Sequence, residues 1–370
     1  MFNDDARGRD DWLARVHLDG PLLLGLLTAA GLGLAILYSA GQEDMGLVER
    51  QSLRVGLSFI AMIGLAQVPP HQLRLWTPWV YLLGIAMLLA VLVTGQVSKG
   101  AQRWLDLGFV RFQPSELMKL AVPMMMAWYF ADRPLPPQFR HLLVGLLIAL
   151  LPVLLIVKQP DLGTALLVAS SGAFVLFLGG LSWKIILGAI AGLAAATPLA
   201  WQFGLHDYQR QRVLTFLNPE TDPLGTGYHI IQSKIAIGSG GLYGKGWLNG
   251  TQAHLDFLPE GTTDFIFAVF AEEFGLIGLC MLLILYVLII GRSLYIATCA
   301  PDTFTRLLTG SLALIFFVYV FVNAGMVCGL LPVVGLPLPL ISYGGTSLVT
   351  IMGGFGILMS IYSHRRWLSQ

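Results

Sequence analysis

The stretch Asp264-Phe-Ile-Phe-Ala-Val-Phe-Ala-Glu272-Glu273-Phe-Gly-Leu-Ile-Gly-Leu-Cys-Met-Leu-Leu-Ile-Leu-Tyr-Val-Leu-Ile-Ile290 decides the class of this chain. Between Phe265 and Ile290 its charges are Glu272 and Glu273. Wound as a helix at 1.5 Å per residue, it runs about 40 Å, longer than the ~30 Å hydrocarbon core of a bilayer. Asp264 then lies at the mouth of a membrane span, shielded on one side by Phe265, Ile266 and Phe267. Further apolar segments of spanning length lie at 20–40, 51–68, 76–96, 114–130, 141–157, 162–178, 183–203, 305–328 and 340–362. The least apolar are 51–68, which contains Arg54, and 114–130, which contains Glu116 and Lys119. Strands of about ten alternating residues are absent, which excludes a membrane barrel.

Composition agrees. The 370 residues carry 22 basic and 21 acidic side chains, 12% charged against about 25% in an average soluble chain, and 56% are hydrophobic. Three cysteines do not make a disulfide scaffold. A net charge of +1 without a basic cluster gives nucleic-acid binding no support. The expectation is an all-α polytopic membrane protein of about ten transmembrane helices, one membrane domain over residues 1–370.

Residues 1–19 are polar and mixed in charge, and the apolar run that follows lacks a small-residue cleavage site, so it is expected to stay as an uncleaved first span. Lysine and arginine in short loops set orientation. With the N-terminus inside, most of them (Arg7, Arg9, Arg15, Arg74, Arg133, Arg140, Lys184, Arg292, Arg306, Arg365, Arg366) fall on the cytoplasmic side. Arg50, Arg54, Lys99, Arg103, Arg111 and Lys158 fall outside. Both termini are therefore expected in the cytoplasm, with residues 204–263 as one large extracytoplasmic loop between spans seven and eight. The starts Gln113-Pro114-Ser115-Glu116 and Gln159-Pro160-Asp161-Leu162 echo each other and both open inward-running helices.

On this topology the polar clusters converge on the outer face. Glu116 and Lys119 share a helix face at i, i+3 and can pair; Gln113 could cap that helix, with Pro114 first. They read either as an ion pair holding spans together or as a site for a polar substrate, and charge inside a span favours function. Asp264 reads as an ordinary acid at a helix start or as a partly desolvated general base. Glu272 lies nearer the Asp264 face of the helix and Glu273 opposite it, which predicts different partners. Arg210 and Arg212, with Lys99, Arg103, Lys119, Lys158 and Lys234, could line a basic bowl that grips phosphate, or could meet solvent and lipid headgroups. The run Gly238-Ser-Gly-Gly-Leu-Tyr-Gly-Lys-Gly246 fails the nucleotide-loop pattern, because Ser239 and Gly246 stand where Gly and Ser/Thr are needed. Its glycines are expected to allow close packing of a surface or re-entrant segment. No zinc-type spacing of Cys or His occurs.

Three function classes suit an outer polar site in such a protein: a transporter or flippase, an enzyme acting on a lipid-linked substrate, and a scaffold. Clustering at one membrane face, rather than at the midplane, favours the enzyme. The run Asn323…Gly329-Leu-Leu-Pro332-Val-Val-Gly335-Leu-Pro337-Leu-Pro339-Leu-Ile-Ser342-Tyr343-Gly344-Gly345-Thr346-Ser347 then resembles the C-terminal signature of the SEDS family (shape, elongation, division, sporulation). Lys99-Gly-Ala-Gln-Arg103-Trp104, Arg111-Phe-Gln113-Pro114-Ser115-Glu116 and Thr263-Asp264-Phe265 match too, and Tyr228 through Gly241 resembles its elongation branch. The resemblance covers essentially the whole chain. It implies a peptidoglycan glycosyltransferase of the inner (cytoplasmic) membrane, polymerising lipid II with a single-pass class B penicillin-binding protein transpeptidase and other elongation-complex proteins as partners; a lipid II flippase is the alternative. It implies Asp264 as the essential acid, with Glu116 and Lys119 as the family's span-four pair. Lys99, Arg103, Arg210, Arg212, Lys234 and Ser342 are the further expected substrate and pyrophosphate contacts. A divalent cation, Mg or Mn, could take the place of some of these cations or be bound by Asp264. Relatives often carry histidine two residues before this aspartate, where Thr262 stands here.

Overall fold

The computed structural model describes residues 16–98, 101–106, 111–199, 201–202, 207–221, 226–254, 258 and 260–368. Helices α1 (Gly20–Ala40), α2 (Met45–Ala66), α3 (Pro70–Thr94), α4 (Pro114–Ala131), α5 (Phe139–Lys158), α6 (Leu162–Leu178) and α7 (Trp183–Leu199) build the first part of the bundle. Helices α8 (Asp207–Leu217), α9 (Thr226–Gly240) and α10 (Thr251–His254) lie within the long loop, and α11 (Ile266–Thr298), α12 (Thr303–Val327) and α13 (Thr346–Leu368) complete the bundle. Each expected apolar segment contains a helix. Among the described residues six helices (α1, α3, α5, α11, α12 and α13) are long and apolar enough to cross a membrane. Helices α6 and α7 are shorter apolar helices, while α2 and α4, which carry the in-span charges, fall outside both groups. The expectation of an all-helical chain needs one amendment: β1 (Gln96–Ser98), β2 (Ala101–Asp106) and β3 (Arg111–Phe112) form a small antiparallel sheet between α3 and α4.

Several starts follow from short acidic caps. Asp19, Asp44, Asp161 and Asp302 each accept a backbone N–H from the first turn of the helix they precede. Asp19 also takes Arg292 in a two-point contact at 2.6 and 3.0 Å, tying the start of α1 to α11. Nearby, the His17 and His364 rings stack at 4.4 Å, joining the segment before α1 to the end of α13. The last helix begins at Thr346 rather than near 340, because Pro337 and Pro339 cannot donate to a helical ladder and the left-handed Leu340 turns the chain, with Ile341 N and Ser342 N donating back to Leu338 O.

The outer faces of the helices display large apolar side chains, such as Leu24, Trp79, Val93, Leu147 and Leu288, as a bilayer-covered surface should. Helix α12 contacts α4, α6, α11 and α13 and is buried along most of its length, with Phe317 and Phe321 on its exposed stripe. It is the element against which the functional side chains are set.

Candidate active site

At the start of α4, Glu116 and Lys119 are both buried, and Lys119 Nζ donates to Glu116 Oε1 at 2.6 Å. The ammonium has a second partner, the Tyr319 hydroxyl of α12, also at 2.6 Å. Glu116 Oε2 is buried without a hydrogen-bond partner. The cavity beside Lys119 and Tyr319 is apolar and holds about 30 Å³, room for a water or two but not a sugar ring. Gln113 precedes α4 as expected but makes no side-chain cap. Its amide nitrogen instead donates to Asp161 Oδ2, the cap of α6, at 2.9 Å. The echoed sequence starts are thus neighbours in space, and two helix N-termini with their partial positive charge lie side by side.

Asp264 stands just before Phe265, the cap residue of α11, and the backbone here is held at three consecutive carbonyls. Thr262 O accepts from Tyr343 N (2.9 Å), Thr263 O from Ser342 Oγ (2.6 Å), and Asp264 O from Asn323 Nδ2 (2.9 Å). All three donors belong to the C-terminal signature. Ser342 Oγ also accepts Leu338 N at 2.8 Å, so both roles of the hydroxyl serve the backbone. Asn323 Nδ2 bonds in addition to Leu336 O at 2.7 Å. Gly335, at φ +76°, faces the carboxylate: a Cβ there would stand 3.5 Å from Asp264 Oδ2. Phe265, Ile266 and Phe267 are buried as expected. The His229 ring stacks on Phe265 at 5.6 Å, next to the aspartate.

The half-helix that follows Asp264 ends at a break. Gly275 has φ 63° and ψ −164°, so α11 is two helices meeting at a kink. In an unbroken helix, Leu276 N and Ile277 N would donate to the carbonyls of Glu272 and Glu273. Here those carbonyls accept Lys245 N and Gly246 N at 3.0 and 2.9 Å, while Leu276 N and Ile277 N donate to Gly241 O and Leu242 O at 3.0 and 3.1 Å. The glycine run therefore does serve close packing, and its partner is the broken span. A Cβ at Gly240 or Gly244 would strike the carbonyls of Ala271 or Glu273. Glu272, fully buried, pairs with Lys245 Nζ at 2.6 Å and accepts the first amides of α10 from Thr251 and Gln252. Glu273 takes the Ser39 hydroxyl of α1. The two glutamates do have different partners.

The remaining expected cations are dispersed. Arg103 is one-third exposed and lies on Asp161, at 3.7 Å, and the Pro160 carbonyl. Arg210 donates to Gln202 O at 2.9 Å. Lys234 is exposed, with its stem against Gly329. Arg212 sits in α8 with its side chain outside the described residues, as is Lys99 altogether. So the structure joins Glu116 to Lys119, sets Ser342 on the carbonyl of Thr263 just before Asp264, and links the pair and the aspartate backbone to α12 through Tyr319 and Asn323. The contributions of Tyr319, Gln113 and His229 were not apparent from sequence, although the Gln-Pro echo pointed toward Gln113.

The profile of the cell cycle protein family FtsW/RodA/SpoVE matches residues 17–367. The chain belongs to this family. The SEDS resemblance is that membership. Among its family relatives, the peptidoglycan glycosyltransferase MrdB of Escherichia coli K12 is 55% identical over 369 residues, covering 100% of both chains. Among solved structures, a chain from a study of a peptidoglycan synthase complex that coordinates polymerization and crosslinking aligns at TM-score 0.83 and 35% identity, over 94% of this chain and 98% of that one. The rod shape determining protein RodA of Thermus thermophilus aligns at TM-score 0.72 and 30% identity, over 94% and 97%. The family's fold is therefore this chain's fold, a multi-pass helical membrane protein.

Proposed function

We propose that this chain is a peptidoglycan glycosyltransferase that polymerises lipid II, the undecaprenyl-linked disaccharide pentapeptide, at the outer face of the inner membrane during elongation. The observation that carries this reading is the end-to-end 55% identity with a peptidoglycan glycosyltransferase. In the topology we favour, ten spans leave both termini in the cytoplasm and residues 204–263 outside. A class B penicillin-binding protein is the proposed transpeptidase partner, supported by the likeness to a chain from a complex that couples polymerization with crosslinking.

The reaction is attack by a sugar 4-hydroxyl on an anomeric carbon whose leaving group is a lipid pyrophosphate. We assign Asp264 as the base that receives the hydroxyl proton. A single in-line displacement inverts that carbon, as in inverting glycosidases. The departing pyrophosphate gathers negative charge, which needs preorganised cations and helix N-termini. The paired starts of α4 and α6 supply the latter, and Lys234, Arg103 and Arg210 are candidates for the former. Lys119, enclosed and doubly bonded, acts on the field at the site rather than by direct grip. For a divalent cation the protein donors are sparse: among the described residues no group of three or more His, Cys, Asp or Glu could hold a metal. Mg²⁺ held by one carboxylate and substrate phosphates would suit Asp264, where it would neutralise leaving-group charge.

The test uses the chain purified with its penicillin-binding partner carrying an inactive transpeptidase site, and labelled lipid II. Glycan ladders are expected from the parent and none from Asp264→Ala; normal-length ladders from the variant would remove Asp264 from the mechanism. Lipid II crossing liposomes without polymer would instead support a flippase.

A further inference from the structure

We propose that Tyr319 and Asn323 are positioning residues for this reaction, and that α12 is the ruler that fixes the Glu116–Lys119 pair relative to Asp264. The inference rests on the assignment of those three residues made above. Tyr319 and Asn323 are four residues apart on one helix, so they project from the same face about 6 Å apart along the axis. Each holds one half of the site: the Tyr319 hydroxyl accepts from Lys119 Nζ, and Asn323 Nδ2 donates to the Asp264 carbonyl. One turn of α12 thus joins the α4 pair to the backbone of the aspartate by a short, rigid path.

The chemistry of each side chain fits this role. A buried ammonium with one carboxylate can pivot about it; a second fixed partner on another helix defines its position. The tyrosine is itself fully buried, and the adjoining cavity is too small for a sugar, so it acts through Lys119 and not on substrate. Asn323 is also fully buried, and both partners of its nitrogen, Asp264 O and Leu336 O, are carbonyls, which orients the amide without ambiguity. Only a group with two N–H bonds on one atom can bridge two carbonyls in this way. In doing so it leaves Oδ1 buried and without a partner. That arrangement places the backbone of Asp264 and does not maximise hydrogen bonding.

The experiment compares Tyr319→Phe and Asn323→Gln with the parent, each as the full chain copurified with the penicillin-binding partner bearing an inactive transpeptidase site. The first variant deletes one hydroxyl. The second keeps both N–H bonds but moves them outward by one methylene. Expected are folded, partner-bound protein, an unchanged KM for lipid II, and a kcat lower by about a hundredfold, the scale of a misplacement near 1 Å. If the amide served only to satisfy carbonyls, Asn323→Gln would retain activity. Both variants within twofold of the parent kcat, or a loss confined to KM, overturns the proposal. Should Asn323→Gln fail to accumulate, Tyr319→Phe decides alone by the same criteria. An inactive parent, or an active Asp264→Ala, refutes the underlying assignment instead. An active parent, an inactive Asp264→Ala and fully active Tyr319 and Asn323 variants refute only the ruler.

Discussion

Glu116 and Lys119 have left water together, and each is tolerable only while the other is present. Lys119→Met alone is expected to cost roughly 3–5 kcal/mol by stranding a buried carboxylate, seen as a lower melting temperature or loss of purified protein. Glu116→Gln combined with Lys119→Met should recover most of that stability but no polymerisation. Recovery of both would reduce the pair to a structural role. The pairing itself was legible from the i, i+3 spacing. Tyr319 was not, because a tyrosine inside an apolar span reads as core, and its partner lies 200 residues away in sequence. Ser342 reads in the sequence as a substrate contact, whereas in the fold its hydroxyl donates to Thr263 O and accepts Leu338 N, partners that no local pattern discloses. The same bracket bears on Thr262. What the fold uses there is the carbonyl, which any residue supplies, so threonine in place of histidine leaves the backbone support of Asp264 intact.

Among elements, α11 carries most of what composition could not convey. Its apolar run announces a span, and the helix extends through it, yet nothing local distinguishes Gly275 from Gly278 as the point of breakage. The choice is made by tertiary partners, the exposed backbone groups of residues 241–246. The prediction follows from geometry: a Cβ at position 275 would meet the backbone of Leu242 and Gly244, at a φ that L residues avoid. Gly275→Ala should therefore cost more than about 3 kcal/mol and abolish monodisperse protein in detergent, as read by fluorescence-detected size exclusion. Gly56→Ala on α2 and Gly188→Ala on α7, where nothing lies within 4 Å, should be neutral in the same assay. A well-behaved Gly275→Ala protein would show that the kink can be re-formed as continuous helix.

At the scale of the whole molecule, the bundle was largely visible in advance, since hydropathy alone finds where each apolar helix lies. The large loop was not, because glycines and isolated charges do not declare their partners. One end of the bundle is fastened by Asp19 with Arg292 and by His17 with His364, while the opposite end gathers the carbonyl bracket, the paired helix starts and the broken span. The proposed orientation has a direct check. With Cys280, Cys299 and Cys328 replaced, a cysteine at the exposed Tyr243 should react with an impermeant maleimide in intact spheroplasts, whereas one at the exposed Pro301 should react only after permeabilisation. The reverse pattern would invert the topology. The exchange of backbone bonds at Gly275 has a further consequence for hybrid proteins built from relatives. Residues 238–277 form one inseparable cassette, since a graft that carried only the loop, or only the span, would join two strands of hydrogen-bonding groups cut to different templates.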